Sequence, residues 1–201
     1  MKYPLNLIIG LVFPGLFLAG CLVSSPPPSF HQLSTLPFKS ICHVAVLPFV
    51  NDTLYNLGDI IVYRVFTAEL NRSGRFVVSL EGDVRKIYRH LQLTVKEQPN
   101  LEQSKIIAAR LGVDAVVTGR IVTMSEEGSA GPNNPILALD IKIIEAGSGN
   151  VLLSTYNTRD GEHYRKVLHF GMINTITELS RLVSQEVIEL WLSKGIGQCT
   201  E

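Results

Sequence analysis

Between Leu137 and Ile143 the chain alternates. Leu137, Leu139, Ile141 and Ile143 share one parity, and Ala138, Asp140 and Lys142 the other. A period of two with aliphatic side chains on one parity belongs to a strand with one face in a core and the other facing water. Ala146-Gly147-Ser148-Gly149-Asn150 supplies a turn, and Val151 to Thr158 reads as the returning partner. An antiparallel hairpin at 136–158 is thus the firmest element. It is marginal alone, so the rest of the chain has to cover its apolar face.

The preceding segments do so in alternating types. His43 to Phe49 is a short apolar run closed by Pro48 and then by Asn51-Asp52, as in a buried strand. From Leu57 to Leu70 a helical face is marked by Ile61, Val65 and Ala68, flanked by Val62, Phe66 and Leu70, and Gly74 supplies the stop. Phe76 to Leu80 predicts a second strand. Asp83 reads as the cap of a helix faced by Val84, Ile87, Tyr88 and Leu91. Asn100 with Gln103 suggests a capping box, opening a helix whose stripe is Ile106, Ile107 and Leu111 and whose end is Gly112. Ala115 to Met124 is a strand, joined to the hairpin by the Glu126–Pro135 loop. Met172, Ile176, Leu179, Val183, Val187 and Leu190 recur at spacings of three and four, giving a long last helix that stops near Gly195. The order β-α-β-α-α-β-β-β-α predicts an α/β fold: a mixed β-sheet with an antiparallel C-terminal hairpin, covered by helices, with a long C-terminal helix.

No catalytic constellation emerges, and no cofactor is expected. His31, His43, His90, His163 and His169 are scattered, and no zinc-type spacing is present. There is no Gly-x-Ser-x-Gly elbow. Gly128-Ser129-Ala130-Gly131 is followed by no Gly-Lys-Ser/Thr, so it reads as a hairpin loop and not as a phosphate cradle. Lys and Arg total 18, as do Asp and Glu, so the basic excess of a nucleic-acid binder is absent. Asp140 and Lys142 form a solvated strand face or a subunit contact. Trp191, the one tryptophan, is either a packing residue or an exposed anchor for a partner or a membrane surface.

The amino terminus sets the compartment. Lys2 precedes an apolar run from Leu5 to Leu18, interrupted by Pro14. A membrane span needs roughly 20 apolar residues. A charged start, an apolar middle and small residues before a break describe a secretory signal, here residues 1–20. Leu18-Ala19-Gly20-Cys21 resembles the lipobox of bacterial lipoproteins, in which the cysteine thiol is acylated and the chain is cut just before it. That likeness implies a lipid on Cys21. A transmembrane anchor with a chance cysteine is the alternative, but Ser24-Ser25-Pro26-Pro27-Pro28-Ser29 follows, polar and proline-rich, and reads as an extended tether. The expected organisation is a signal at 1–20, a lipidated tether at 21–40, one α/β domain at 41–196 and a tail at 197–201. By similarity to enteric lipoproteins, Leu22 in place of aspartate favours the outer membrane, facing the periplasm. With Cys21 lipidated, Cys42 and Cys199 remain as an even pair in an oxidising compartment. A bond between them would pin the tail to the first strand; two unpaired thiols are the other option.

Three segments carry a family resemblance: Val44 to Thr53, Ala108 to Ile121, and Leu139 to Leu152. Together they look like the superfamily of the curli-secretion channel lipoprotein, the Pel polysaccharide export lipoprotein, the peptidoglycan-synthase activator lipoprotein and the TolB amino-terminal domain. The resemblance spans about residues 42–195. It implies a non-enzymatic envelope protein that works as a ring or as a partner of a larger machine. Fold analogy alone leaves the function open. The curli channel carries two long membrane-crossing hairpins, which would fall after Met124 and after Thr158. Only Ser125 to Pro135 and Arg159 to Glu162 occupy those places, too few for paired barrel strands of about 9–11 residues.

The resulting expectation is an assembly or export accessory attached to the membrane by its lipid, a homo-oligomer whose leading form is a ring under a secretion channel. The alternative is a binding module that docks on a peptidoglycan synthase and activates it. Self-association is expected through an unpaired sheet edge beside the hairpin, with Asp140 and Lys142 meeting opposite charges on a neighbour.

Overall fold

The alternating hairpin lies inside one mixed sheet of seven strands. The computed structural model describes residues 26–33, 41–126, 133–166 and 170–197. In chain order its elements are β1 (Ser29–Gln32), β2 (His43–Val46), β3 (Val50–Asn51), α1 (Gly58–Arg72), β4 (Val77–Val78), α2 (Glu81–His90), α3 (Leu101–Leu111), β5 (Ala115–Ser125), β6 (Ile136–Glu145), β7 (Val151–Asp160) and α4 (Ile176–Ser193), with a 3-10 turn at Gly161–Tyr164. The strands are ordered β1-β7-β6-β5-β2-β4, and β3 pairs with β5. β2, β3 and β4 make the parallel part; β5, β6, β7 and β1 are antiparallel.

Local chemistry accounts for most element ends. Asn100 and Gln103 form the reciprocal capping box of α3, and Gly112 closes that helix at φ 65°, a left-handed turn that a glycine adopts without strain. α1 ends at Ser73 with Gly74 following at φ 64°. Two boundaries differ from the sequence reading. Leu80, not Asp83, occupies the cap position of α2; Asp83 and Glu81 sit in its first turn, where carboxylates favour the helix dipole. α4 begins at Ile176, so Met172 lies before it. Thr175 accepts a bond from Glu178 N–H, and Glu126 accepts one from Ile176 N–H at 2.7 Å. The first-turn donors are thereby satisfied from two directions.

The larger difference is at the amino-terminal side. Ser29–Gln32, expected within the tether, pairs antiparallel with β7, from Ser29 opposite Tyr156 to Gln32 opposite Leu153. Phe30 packs on the core, and the Lys194 ammonium lies 5.8 Å from its ring centroid. A polar, proline-flanked segment gave no period-two signal, yet an open strand edge accepts any backbone that presents its N–H and C=O groups. β1 therefore covers the edge of β7 that was expected to be free.

Helices lie on both faces. α1 and α4 pack on one, over Val117, Ile121, Leu139, Ile141, Ile143 and Leu153. α2 and α3 pack on the other, over Ala45, Leu47, Val116 and Ile144. Trp191 is fully buried, and its Nε1 donates to Thr155 Oγ1 at 2.9 Å. It is a packing residue, so it is withdrawn as an exposed anchor: a large ring with one donor is best placed where both needs are met. Phe66 stands edge-on to it at 5.8 Å, and Phe49 lies 5.5 Å beyond Phe66.

Gly119 sits beneath this aromatic row. A Cβ there would approach the Phe49 ring to 2.4 Å. Gly119→Ala is expected to destabilise the fold by about 1–3 kcal/mol through overpacking. Chemical denaturation would measure it, and an unchanged midpoint would refute this account.

Candidate functional site

α2 and α3 cover β2 and the ends of β5 and β6 nearest Val116 and Ile144. Farther along β5, β6 and β7 the outward parity carries Arg120, Val122, Asp140, Lys142, Ser154, Tyr156 and Thr158, exposed or half-buried. The register sets Arg120 opposite Asp140, and Asp140 opposite Tyr156. Lys142 Nζ lies 3.3 Å from Asp140 Oδ2, and Ser154 donates to Asp140 Oδ1 at 2.9 Å. Arg120 donates to Asp52 at 2.6 Å. The two sequence-nominated residues, Asp140 and Lys142, therefore meet as a pair within a polar, three-stranded open face. Cys21 and Cys199 lie outside the described residues. Cys42 is disulfide-bonded.

The inward parity of β7 holds a second polar group, which sequence reading passed over. Leu153, Thr155, Asn157 and Arg159 are all buried on the α4 side, Arg159 at 7% exposure. A charge cannot be buried there without a partner. Glu186 of α4 supplies it. Arg159 Nε lies 2.9 Å from Glu186 Oε2 as an ion pair without hydrogen-bond alignment. Asn157 Nδ2 donates to the same oxygen at 3.0 Å, and Tyr164 OH donates to Glu186 Oε1 at 2.7 Å. Arg159 also donates to the carbonyl oxygens of Thr158 and Pro26, the latter at 2.7 Å. The signal was present in sequence: Arg159 continues the inward parity of Leu153, and Glu186 borders the stripe of Val183 and Val187 on α4.

Two cavities sit elsewhere. Ser79, Asp83 and His90 line one of 420 Å³ between α2 and α3, and no side-chain hydrogen bond links them. Another, of 510 Å³, lies beside the 52–57 loop, next to exposed Leu54 and Leu57. Among the described residues no cluster of His, Cys, Asp and Glu could hold a metal ion, and no helix is long and apolar enough to cross a membrane.

No protein-family model matches the sequence, and no curated relative does. Solved structures share the fold. The PelC dodecamer from Paraburkholderia phytofirmans is 14% identical, with 80% of this chain and 95% of that chain covered at a TM-score of 0.54. Lipoprotein GNA1162 from Neisseria meningitidis is 14% identical, with 76% of this chain and 99% of that chain covered at a TM-score of 0.55. The LpoB C-terminal domain from Escherichia coli is also 14% identical but covers 59% of this chain, at a TM-score of 0.46. The mixed sheet with its long last helix is thus an architecture shared with the PelC subunit and with lipoprotein GNA1162, both within the superfamily that the sequence resembles.

Several tyrosines hold their protons tightly. Tyr55 donates to Glu126 at 2.7 Å; that bond, then burial, pushes its pKa up to about 12. Burial does the same for Tyr63, also to about 12, and raises Tyr88 and Tyr164 further; the bond to Glu186 adds to the rise at Tyr164. These folded values exceed the unfolded value near 10. Their contribution to stability is therefore complete below about pH 10 and lost as pH rises through about 12. Denaturation at stepped alkaline pH, with tyrosinate absorbance followed in parallel, would show it. Stability that stays flat from pH 9 to 12 would contradict the burial and bonding of these rings.

Proposed function

We propose that the chain is a non-enzymatic, periplasm-facing outer-membrane lipoprotein. It serves as an assembly or export accessory and forms a ring beneath a separate secretion channel. The observation that carries this reading is the overlay of one domain on nearly the whole length of both the PelC dodecamer subunit and lipoprotein GNA1162. The lipobox-like Leu18-Ala19-Gly20-Cys21 run supports the anchor.

The subunit contact is placed on the open face of β5, β6 and β7. β1 occupies the Leu153–Tyr156 part of the β7 edge, so that stretch is not free to pair with a neighbour. The open face instead offers ion pairs that can exchange partners across a head-to-tail contact, the heterologous geometry that closes into rings. Asp140→Lys is expected to dissociate the assembly while changing the stability of the fold by less than about 1 kcal/mol, as for other partly exposed pairs. Light scattering on the chain from residue 22 onward, at high micromolar concentration, tests this. A strictly monomeric mass with no crosslinked oligomer in membranes would overturn the ring and turn attention to synthase activation.

Acylation of Cys21 is checked separately. Cys21→Ser is expected to leave an unprocessed or mislocalised precursor, and mass spectrometry of the mature protein showing an unmodified Cys21 would reject the anchor.

Cys199 is proposed as the disulfide partner of Cys42. Gly197, two residues earlier, is buried so close to Phe76 that a Cβ there would meet its ring, and Val77 N–H donates to the Cys42 carbonyl. The described end of the tail therefore lies beside Phe76, next to the strand that pairs with β2 just after Cys42. A loop of this length contributes about 5 kcal/mol on chain entropy. Peptide mapping without reduction should recover the Cys42–Cys199 pair; quantitative alkylation of Cys199 in the native protein would exclude it.

A further inference from the structure

We infer that Arg159 and β7 clasp the lipid-bearing segment to the domain, so that the Pro26 end of the sheet faces a phospholipid bilayer at short range. This rests on the proposed acylation of Cys21. Were residues 21–40 a free tether, twenty links would separate the acylated residue from Ile41, a reach of about 70 Å. The domain could then take any orientation. The structure removes most of that length. Pro26 is held through its carbonyl by Arg159, Ser29–Gln32 is built into the sheet, and Leu33 N–H donates to Leu152 at 2.9 Å. Arg159 is itself held by Glu186, which also ties down Tyr164 and Asn157. From Pro26 back to Cys21 the sequence has five links, a reach of at most about 17 Å.

That length decides orientation. β7 has ten residues and is about 30 Å long, so the spacer confines only the end beside Pro26 to the membrane and leaves the other end room to stand up to about 30 Å farther away. The end at Thr158–Asp160 is near, and the Ala146–Asn150 turn is far. A second observation points to the same end. The turn that follows β7 exposes Arg165, Lys166 and Phe170, the last at 76%, and Lys166 N–H donates to the Phe170 carbonyl at 2.8 Å. Two cations beside an aromatic ring suit a phospholipid headgroup region.

The test uses the full acylated chain on phosphatidylethanolamine–phosphatidylglycerol vesicles carrying a headgroup quencher. A fluorophore is placed at Thr158→Cys or at Gly147→Cys; Thr158 is exposed, and a side chain at 147 meets open space. The Thr158 label should be strongly quenched and the Gly147 label scarcely. Ten Gly/Ser residues inserted between Cys21 and Pro26 should let the near label withdraw by roughly 17 Å and lose its quenching. The same insertion between Leu33 and Ile41 should change nothing. Equal quenching of both labels, or an equal response to the two insertions, on protein that sediments with vesicles would overturn the clasp while leaving the lipoprotein reading intact. Mature protein that carries no acyl chain on Cys21 when isolated from cells would overturn both.

Discussion

The polar inward row of β7 is the constraint on which the rest of the fold depends. A sheet face that buries aliphatic residues accepts Thr155, Asn157 and Arg159 only if each finds a partner, because an unpaired buried polar group costs more than its bond returns. One helix meets all three. Trp191 and Glu186, five positions apart on α4, donate to Thr155 and accept from or pair with Asn157 and Arg159. This sets the position of α4 along β7, since sliding by one turn would strand a guanidinium in the core. Ser180 and Ser184 lie on the same buried helix face and return their hydroxyls to its own carbonyls, so they add no unmet donor.

From that seating other features follow. Glu186 also holds Tyr164, which fixes the 3-10 turn after β7. The remaining donors of Arg159 reach outward to the segment before β1. The N-terminus of α4 is tied through Glu126 to Tyr55, so the loop ahead of α1 is connected to the same helix. One buried ion pair thereby links the last helix, the last strand and the chain's first described residues. Pairs of this kind are weak sources of net stability but expensive to break. Their effect here is to select one arrangement.

The same architecture leaves one surface unspent. α1 and α4 fill one face of the sheet, and β1 closes the edge of β7. The other face is helix-covered over β2 and the ends of β5 and β6 nearest Val116 and Ile144, and its remainder carries paired charges around Asp140 and Lys142.

Much of this was legible in the sequence because its causes are local. The alternation in β6, the Asn100–Gln103 box, the stripe of α4 and the glycine stops each arise from contacts within a few residues, and they predicted the α/β class and the antiparallel hairpin. Asp140 and Lys142 were legible as an outward-facing pair for the same reason. β1 was not, since Ser29–Gln32 carries no pattern of its own and became a strand only because β7 had an open edge. Nor was the burial of Trp191, whose two readings differ only in whether Phe66 and Thr155 arrive beside it. The Arg159–Glu186 pair joins positions 27 residues apart, and periodicity within one element cannot see across to another. The sequence alone determined most of the elements, because propensity and period act at short range. Tertiary structure decided which edge was closed, which charges were buried and which face stayed open, because those depend on what packs against what.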